Sequence, residues 1–430
     1  MPRFNPFRPG SIVTPGMFSG RLNELVSMEQ ALFQTKQGNP HHILIHGERG
    51  IGKSSLLYCQ QLVAEGQIDP FEGEKFRFLA VSLELEPSNT YLDIVEKIGS
   101  ELQREIAKRE PSIEFAKTAW DFLKKWEVAG VKYNDHEQPP KPNEMLDELT
   151  FAIDQILVRL GPQVDGIIVF IDEADKPPSS ANLGEFVKVF TERLSKRGCT
   201  SVALCIAGIS TVLDRLRESH ESSVRIFQIL TLEPLLPLER AEVVEKGLAE
   251  ALKKNGFEVS ITPEAKESIS ELSEGYPHFL QQFAYCAFNE DRDNVIDIAD
   301  VNAGALHDER GAIQQLGLKY FQELYFAQIG SDEYRGVLRA MAENLDGWSS
   351  KADIRKKIKI KEPTLNNAIR ALKAKHIIIP KPGATGVYRL PTKSFAVWIR
   401  AFTKAREDVI SSPGGNPTQI QADPTTRSGT

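Results

Sequence analysis

The stretch HHILIHGERGIGKS at 41–54 constrains the fold of this chain more than any other. The apolar run Ile43-Leu44-Ile45 reads as a short buried strand that runs directly into Gly47. Gly50 and Gly52 follow, then Lys53 and Ser54, and the pattern from Lys53 to about Glu65 reads as a helix. The spacing G-x-x-x-x-G-K-[ST] is met at every fixed position, and it lies between a strand and a helix, where its chemistry requires it. Glycines let the main chain wrap closely, so that its N–H groups converge on one point. The helix start adds a dipole that favours an anion there. The loop is therefore a phosphate cradle, which predicts an α/β P-loop NTPase fold.

The loop sets out a candidate nucleotide site of Gly47, Glu48, Arg49, Gly50, Ile51, Gly52, Lys53, Ser54 and Ser55. Lys53 would reach the β- and γ-phosphates, and the Ser54 hydroxyl would bind Mg²⁺. The partner is GIIVFIDEAD at 166–175, a continuous apolar run ending in acids, as in a strand buried on both faces. Asp172 would hold the Mg²⁺ hydration shell, and Glu173 would orient or deprotonate an attacking water. A carboxylate at Glu173 argues for hydrolysis rather than binding alone. Asp175 reads as a loop acid with no catalytic task.

Further strands are expected at 76–85, 200–208 and 225–232, and helices at 19–35, 88–109, 113–126, 144–160, 182–197 and 211–219. Alternating strands and helices imply a parallel sheet covered on both sides. Residues 1–16, rich in Pro and Gly, read as an extended lead-in. The α/β domain spans 17–235 and carries an insertion at 110–143. An all-helical lid follows at 236–330. Residues 331–410 form a winged helix, with helices near 332–343, 350–358 and 362–375 and a hairpin around Gly383 to Gly386. The polar tail 411–430 is expected to be disordered.

Composition bounds the setting. With 41% apolar and 26% charged residues the chain can build a sizeable core. Cys59, Cys199, Cys205 and Cys286 form no CxxC, which suits free thiols in a reducing compartment and a cytoplasmic protein. No apolar run approaches the ~18–20 residues of a membrane helix, so no membrane partner is expected. The net charge of -7 argues against a chain coated in nucleic acid throughout.

With these residues in place, the chain resembles the AAA+ superfamily, and within it the origin-recognition-like and STAND-like prokaryotic ATPases. FSGRLNEL at 18–25 is similar to the family's F-x-G-R-x-x-E-L box, which implies that Gly20 and Arg21 lie at the adenine. The resemblance implies a polar sensor of the γ-phosphate at Ser210, which also suits a helix cap. It implies an arginine finger at Arg225, with Arg215 and Arg217 as alternatives. Such an arginine would complete the ATP site of a neighbouring subunit. SEGYPHFL at 273–280 looks like the G-x-P motif of a lid helix, which implies that Pro277 meets the nucleotide. His278 stands where initiator-type relatives often have an arginine, a departure toward the STAND-like pattern.

Residues 351–381 hold ten basic side chains against Asp353 and Glu362, a net +8 in a chain of net -7, so the remainder carries -15. Segregated charge of this kind is the footprint of phosphate-backbone binding. In EPTLNNAIRALKAK, Leu365, Ala368, Ile369 and Leu372 are expected to face the core. Asn367 and Arg370 face outward, with Lys356, Lys357 and Lys373 as further contacts to double-stranded DNA. Two functions follow. One is an ATP-hydrolysing machine that changes conformation or self-assembles with ATP and Mg²⁺ and associates with DNA. The other is a nucleotide switch in signalling or defence that acts through a protein partner or effector.

Overall fold

The computed structural model describes residues 3–109 and 142–410, apart from 14, 72, 308, 346 and 359. The expected helix at 113–126, all but the end of the 110–143 insertion, Lys359 and the 411–430 tail lie outside the described residues. The chain divides into two compact units. One comprises Gly10–Lys246 with Tyr276–His278, and the other Met1–Pro9, Gly247–Gly275 and Phe279–Thr430.

The first unit is built on a five-stranded parallel sheet of order β2-β3-β4-β1-β5. Its strands are β1 His42–His46, β2 Leu79–Glu84, β3 Ile167–Asp172, β4 Val202–Gly208 and β5 Phe227–Thr231. Helices α1 Leu22–Lys36 and α2 Lys53–Ala64 cover one face. Helices α3 Tyr91–Arg109, α4 Pro142–Leu160, α5 Leu183–Arg197 and α6 Val212–Ser219 cover the other.

The period of two in a strand divides its side chains between these faces. Ile167, Val169 and Ile171 of β3 join the core under α3 to α6, whereas Ile168 and Phe170 join the core under α1 and α2. Because both faces are covered, β3 is apolar up to Asp172, as the sequence suggested, and β4 is apolar throughout. The β5 pattern is mixed because this strand lies at an edge. Its expected start at Arg225 is wrong by two residues: Glu221–Ile226 form a 3₁₀ turn before the strand.

The second unit contains the end of α7 Pro237–Asn255 from Gly247 onward, then α8 Pro263–Ser273, α9 Pro277–Glu290 from Phe279 onward, α10 Ile298–Leu306 and α11 Ala312–Leu316. Two-residue strands β6 Ser260–Ile261 and β7 Val295–Ile296 pair in parallel within it. The lead-in is no free extension here. Arg3 pairs with Asp291 at 2.6 Å and lies over the Phe288 ring, and Phe7 is buried beside Gly247 and Phe288.

After α11 the chain continues through two π-helical turns, Gly317–Phe321 and Glu323–Ala327. The Arg335 guanidinium closes their end by donating to the carbonyls of Tyr325, Phe326 and Ile329. This is a side-chain answer to the unpaired carbonyls of a helix terminus.

The winged helix follows with α12 Asp332–Ala342, β8 Ser349–Ser350, α13 Lys351–Lys357, α14 Glu362–Ala374, β9 Ile379–Pro380, β10 Val387–Arg389 and α15 Lys393–Ile410. Its antiparallel sheet has the order β8-β10-β9. Helix α15 brings Phe395 and Trp398 into an aromatic cluster with Phe321 and Tyr325.

Candidate functional site

The sheet order places β1 beside β4 and β4 beside β3, so the loop after β1 and the acids after β3 emerge at the same end of the sheet. This is the carboxyl end of parallel strands, where open α/β sheets bind their ligands.

Between Gly47 and Ser54 the chain closes a cradle. Gly50 and Gly52 have φ of 78° and 99°, which only glycine adopts without strain, and Gly52 abuts Pro277. The loop carbonyls are tied up from several sides. Lys53 Nζ donates to the Gly47 and Glu48 carbonyls at 3.0 and 2.9 Å. The His278 N–H donates to the Gly50 carbonyl at 3.2 Å. Arg21 Nη2 donates to the Ile51 carbonyl at 3.1 Å. The Ile51 N–H turns back on the Glu48 carbonyl at 3.4 Å, and the start of α2 offers its N–H groups to an anion.

The FSGRLNEL box meets the loop from behind. Arg21 is buried, its guanidinium pairs with Glu24 at 3.4 Å, and its N–H donates to Glu239 Oε1 at 3.0 Å. Arg21, expected at the adenine, also contacts the phosphate loop. Gly20 has φ of 75°, where a side chain is strained, and a Cβ there would lie 2.7 Å from Glu239 Oε1. Ser55 Oγ accepts the Val13 N–H at 3.3 Å, which ties the lead-in to α2. Glu48 and Arg49 are exposed, and Ile51 is buried.

The acids after β3 bear electrostatically on the same lysine. Burial lowers the Lys53 pKa, and the carboxylates of Asp175, Glu173 and Asp172 oppose that shift. Asp172 ends β3, and its Oδ1 accepts the Glu173 N–H at 2.8 Å. Glu173 sits at φ of 54°, an uncommon conformation of the kind that collects at functional sites. Burial holds its carboxyl above the usual glutamate range; Asp172 and Asp175 push the same way, against Lys176 and Lys53. Lys176 Nζ bridges Glu84, at 3.0 Å, and Glu173, at 3.9 Å.

Asp175 has a structural task that its position did not reveal. Its Oδ1 accepts the Ile209 N–H at 2.8 Å and so fixes the end of β4, beyond which exposed Ser210 lies. Arg225 is also exposed, while Arg215 is paired with Glu218 and Arg217 with Asp214.

The site's donors fit a nucleotide with Mg²⁺. Ser54 and Asp172 offer hard oxygen ligands, too few for an all-protein cage but suited to an ion that keeps its waters and shares phosphate oxygens. Among the described residues no cluster of three or more His, Cys, Asp or Glu side chains could hold a metal.

On the winged helix, Leu365, Ala368, Ile369 and Leu372 of α14 are buried as expected. Asn367, Arg370 and Lys373 are exposed, and Arg370 donates to Asn367 Oδ1 at 2.5 Å. Lys356 is exposed, whereas Lys357 donates to the Ala340 carbonyl and pairs with Glu343 at 3.1 Å.

A glycine cradle, its lysine and a strand-end acid pair define a P-loop nucleotide site. Residues 18–195 match the AAA ATPase domain family. The Aeropyrum pernix ORC2 protein in its ADPNP–ADP complexes shares the fold at a TM-score of 0.52 and 15% identity, over 94% of this chain and 99% of that one. Its ADP form aligns at a TM-score of 0.47 and 15% identity, over 91% and 95%. Cdc6p from Pyrobaculum aerophilum aligns at 0.43 and 12% identity, over 94% and 97%. No curated protein matches the chain in sequence. Among the described residues no helix is long and apolar enough to cross a membrane.

Proposed function

We propose that this chain binds ATP with Mg²⁺ and hydrolyses it, and that its nucleotide state drives a conformational change or assembly that acts on double-stranded DNA. The glycine cradle after β1 and the acids Asp172 and Glu173 at the same end of the sheet carry this reading. The loop N–H groups and Lys53 bind and orient the phosphates. Ser54 and Asp172 would hold the Mg²⁺, which would supply charge neutralisation at the phosphate oxygens. Glu173 orients the attacking water and takes its proton. Its burial suits it to that work, because a carboxyl raised above its ordinary range is a stronger base. Ser210 senses the γ-phosphate, and Arg225 reaches the site of a second copy in the ATP state.

DNA contact is supported by the net +8 of residues 351–381 and by the exposed row Asn367, Arg370 and Lys373 on α14, with Lys356 on α13. The four cysteines are free thiols, which supports a reducing, cytoplasmic setting.

A second reading, a nucleotide switch that works through a protein partner, is favoured by one observation. Part of the basic set is spent internally, Arg355 on Glu362 and Lys357 on Glu343.

Two measurements test the proposal. ATP affinity and turnover of Lys53→Ala should both fall by at least about tenfold, since a charged phosphate contact is worth ~1.5–3 kcal/mol; parent-like turnover would refute the hydrolytic site. Duplex DNA affinity, titrated against salt, should fall steeply in the parent. Its log–log slope should be shallower by about one per contacted phosphate in the Lys356→Ala, Arg370→Ala and Lys373→Ala variants. No binding at low salt would favour the protein-partner switch.

A further inference from the structure

The phosphate loop is gripped by three consecutive residues at the head of α9. Tyr276 Oη donates to the Glu48 carboxylate at 2.5 Å. Pro277 Cγ lies 3.5 Å from where a Gly52 Cβ would stand, and the His278 N–H donates to the Gly50 carbonyl at 3.2 Å. These contacts fall on the second, sixth and fourth positions of the cradle, on side chain and main chain alike. The Tyr276 ring packs against the apolar core under α1 and α2, so its hydroxyl projects from a fixed base. The Glu48 main chain is held as well, its carbonyl accepting from Lys53 at 2.9 Å.

We propose that the Tyr276–Glu48 hydrogen bond, with its two neighbouring contacts, is a clasp that sets how long a nucleoside diphosphate stays on the phosphate loop. The inference rests on the nucleotide-site reading above. The loop binds phosphate through main-chain N–H groups, so a diphosphate leaves when those groups splay apart. Each contact that fixes the loop lowers the population of the splayed form and slows release. Glu48 faces solvent and reaches the phosphates through no side-chain chemistry of its own. Its carboxylate acts through Tyr276, which makes both of them positioning residues. Neither matters to the G-x-x-x-x-G-K-[ST] pattern, in which the Glu48 position is free.

The test is stopped-flow release of a fluorescent mant-ADP, loaded with Mg²⁺ onto the full chain and chased with excess ADP. Tyr276→Phe and Glu48→Ala should each speed release about threefold to tenfold, the range of one ordinary net hydrogen bond in contact with water. The double variant should be no faster than the faster single one, because both remove the same bond. Glu48→Gln keeps an oxygen that accepts from the tyrosine and should stay within about twofold of the parent, a rescue that a general loosening of the fold would not give. Parent-like release in both single variants, additive effects in the double, or fast release in Glu48→Gln would each overturn the clasp. A parent that does not bind mant-ADP would overturn the nucleotide reading itself, and the clasp with it.

Discussion

At the scale of single residues, the site depends on side chains that hold the loop as much as on those that would touch phosphate. Arg21 is the clearest case. Its buried guanidinium donates to the Ile51 carbonyl and pairs with Glu24, and no lysine could reproduce that fork. Arg21→Met should weaken Mg²⁺–ATP binding about tenfold, since a hydrogen bond from a charged group is worth ~1.5–3 kcal/mol. Titration calorimetry would read this directly, and unchanged affinity would show that the arginine only fills space. Lys53, Ser54, Asp172 and Glu173 were legible in the sequence because their spacing is the chemistry. The Tyr276–Glu48 bond was not, because it joins residues 228 positions apart and follows from the fold alone. The task of Asp175 was hidden for the same reason: its partner is the backbone N–H of Ile209, just past the end of β4.

At the scale of elements, legibility followed burial. Strands β3 and β4 announced themselves as unbroken apolar runs because helices cover both faces of the sheet. The two-residue strands β6, β7 and β8 are too short to show any period, and α15 was left unnamed although Phe395, Trp398 and Ile399 recur at helical spacing. The π-helical turns have no sequence signature comparable to a heptad or an alternation.

Strand β1 carries a pH dependence of its own. His42 Nδ1 accepts the Leu204 N–H at 3.1 Å, so the ring must lack a proton there. Burial, helped by His41, lowers its pKa from 6.5 to about 4. Below pH 6.5 the unfolded chain takes up a proton that the folded chain refuses, so stability falls as pH drops toward 4. Across that window the loss should approach ~3 kcal/mol, and His42→Asn should flatten the slope of denaturant midpoint against pH between 4 and 6.5. An unaltered slope in the variant would assign the acid sensitivity to other groups.

At the scale of the whole molecule, the α/β unit with its phosphate cradle and the unit that ends in a winged helix are joined by more than one crossing of the chain. The lead-in belongs to the second unit up to Pro9 and to the first from Gly10, and Tyr276–His278 return to the first. A nucleotide event on the loop therefore has direct covalent routes into both.

Assembly is the natural output if Arg225 acts in a neighbouring site. Light scattering should show a larger mass with ATP than with ADP for the parent and no such difference for Arg225→Ala. A monomer in both states for the parent would remove the reason to regard Arg225 as a finger.

We propose that Glu173 makes this loop hydrolytic. ATP binding and single-turnover hydrolysis measured together on Glu173→Gln separate that role from nucleotide binding. Binding should stay within about twofold of the parent, while hydrolysis should drop by about 10²-fold or more, the contribution of a positioned general base. Hydrolysis at the parent rate with binding intact would contradict the assignment.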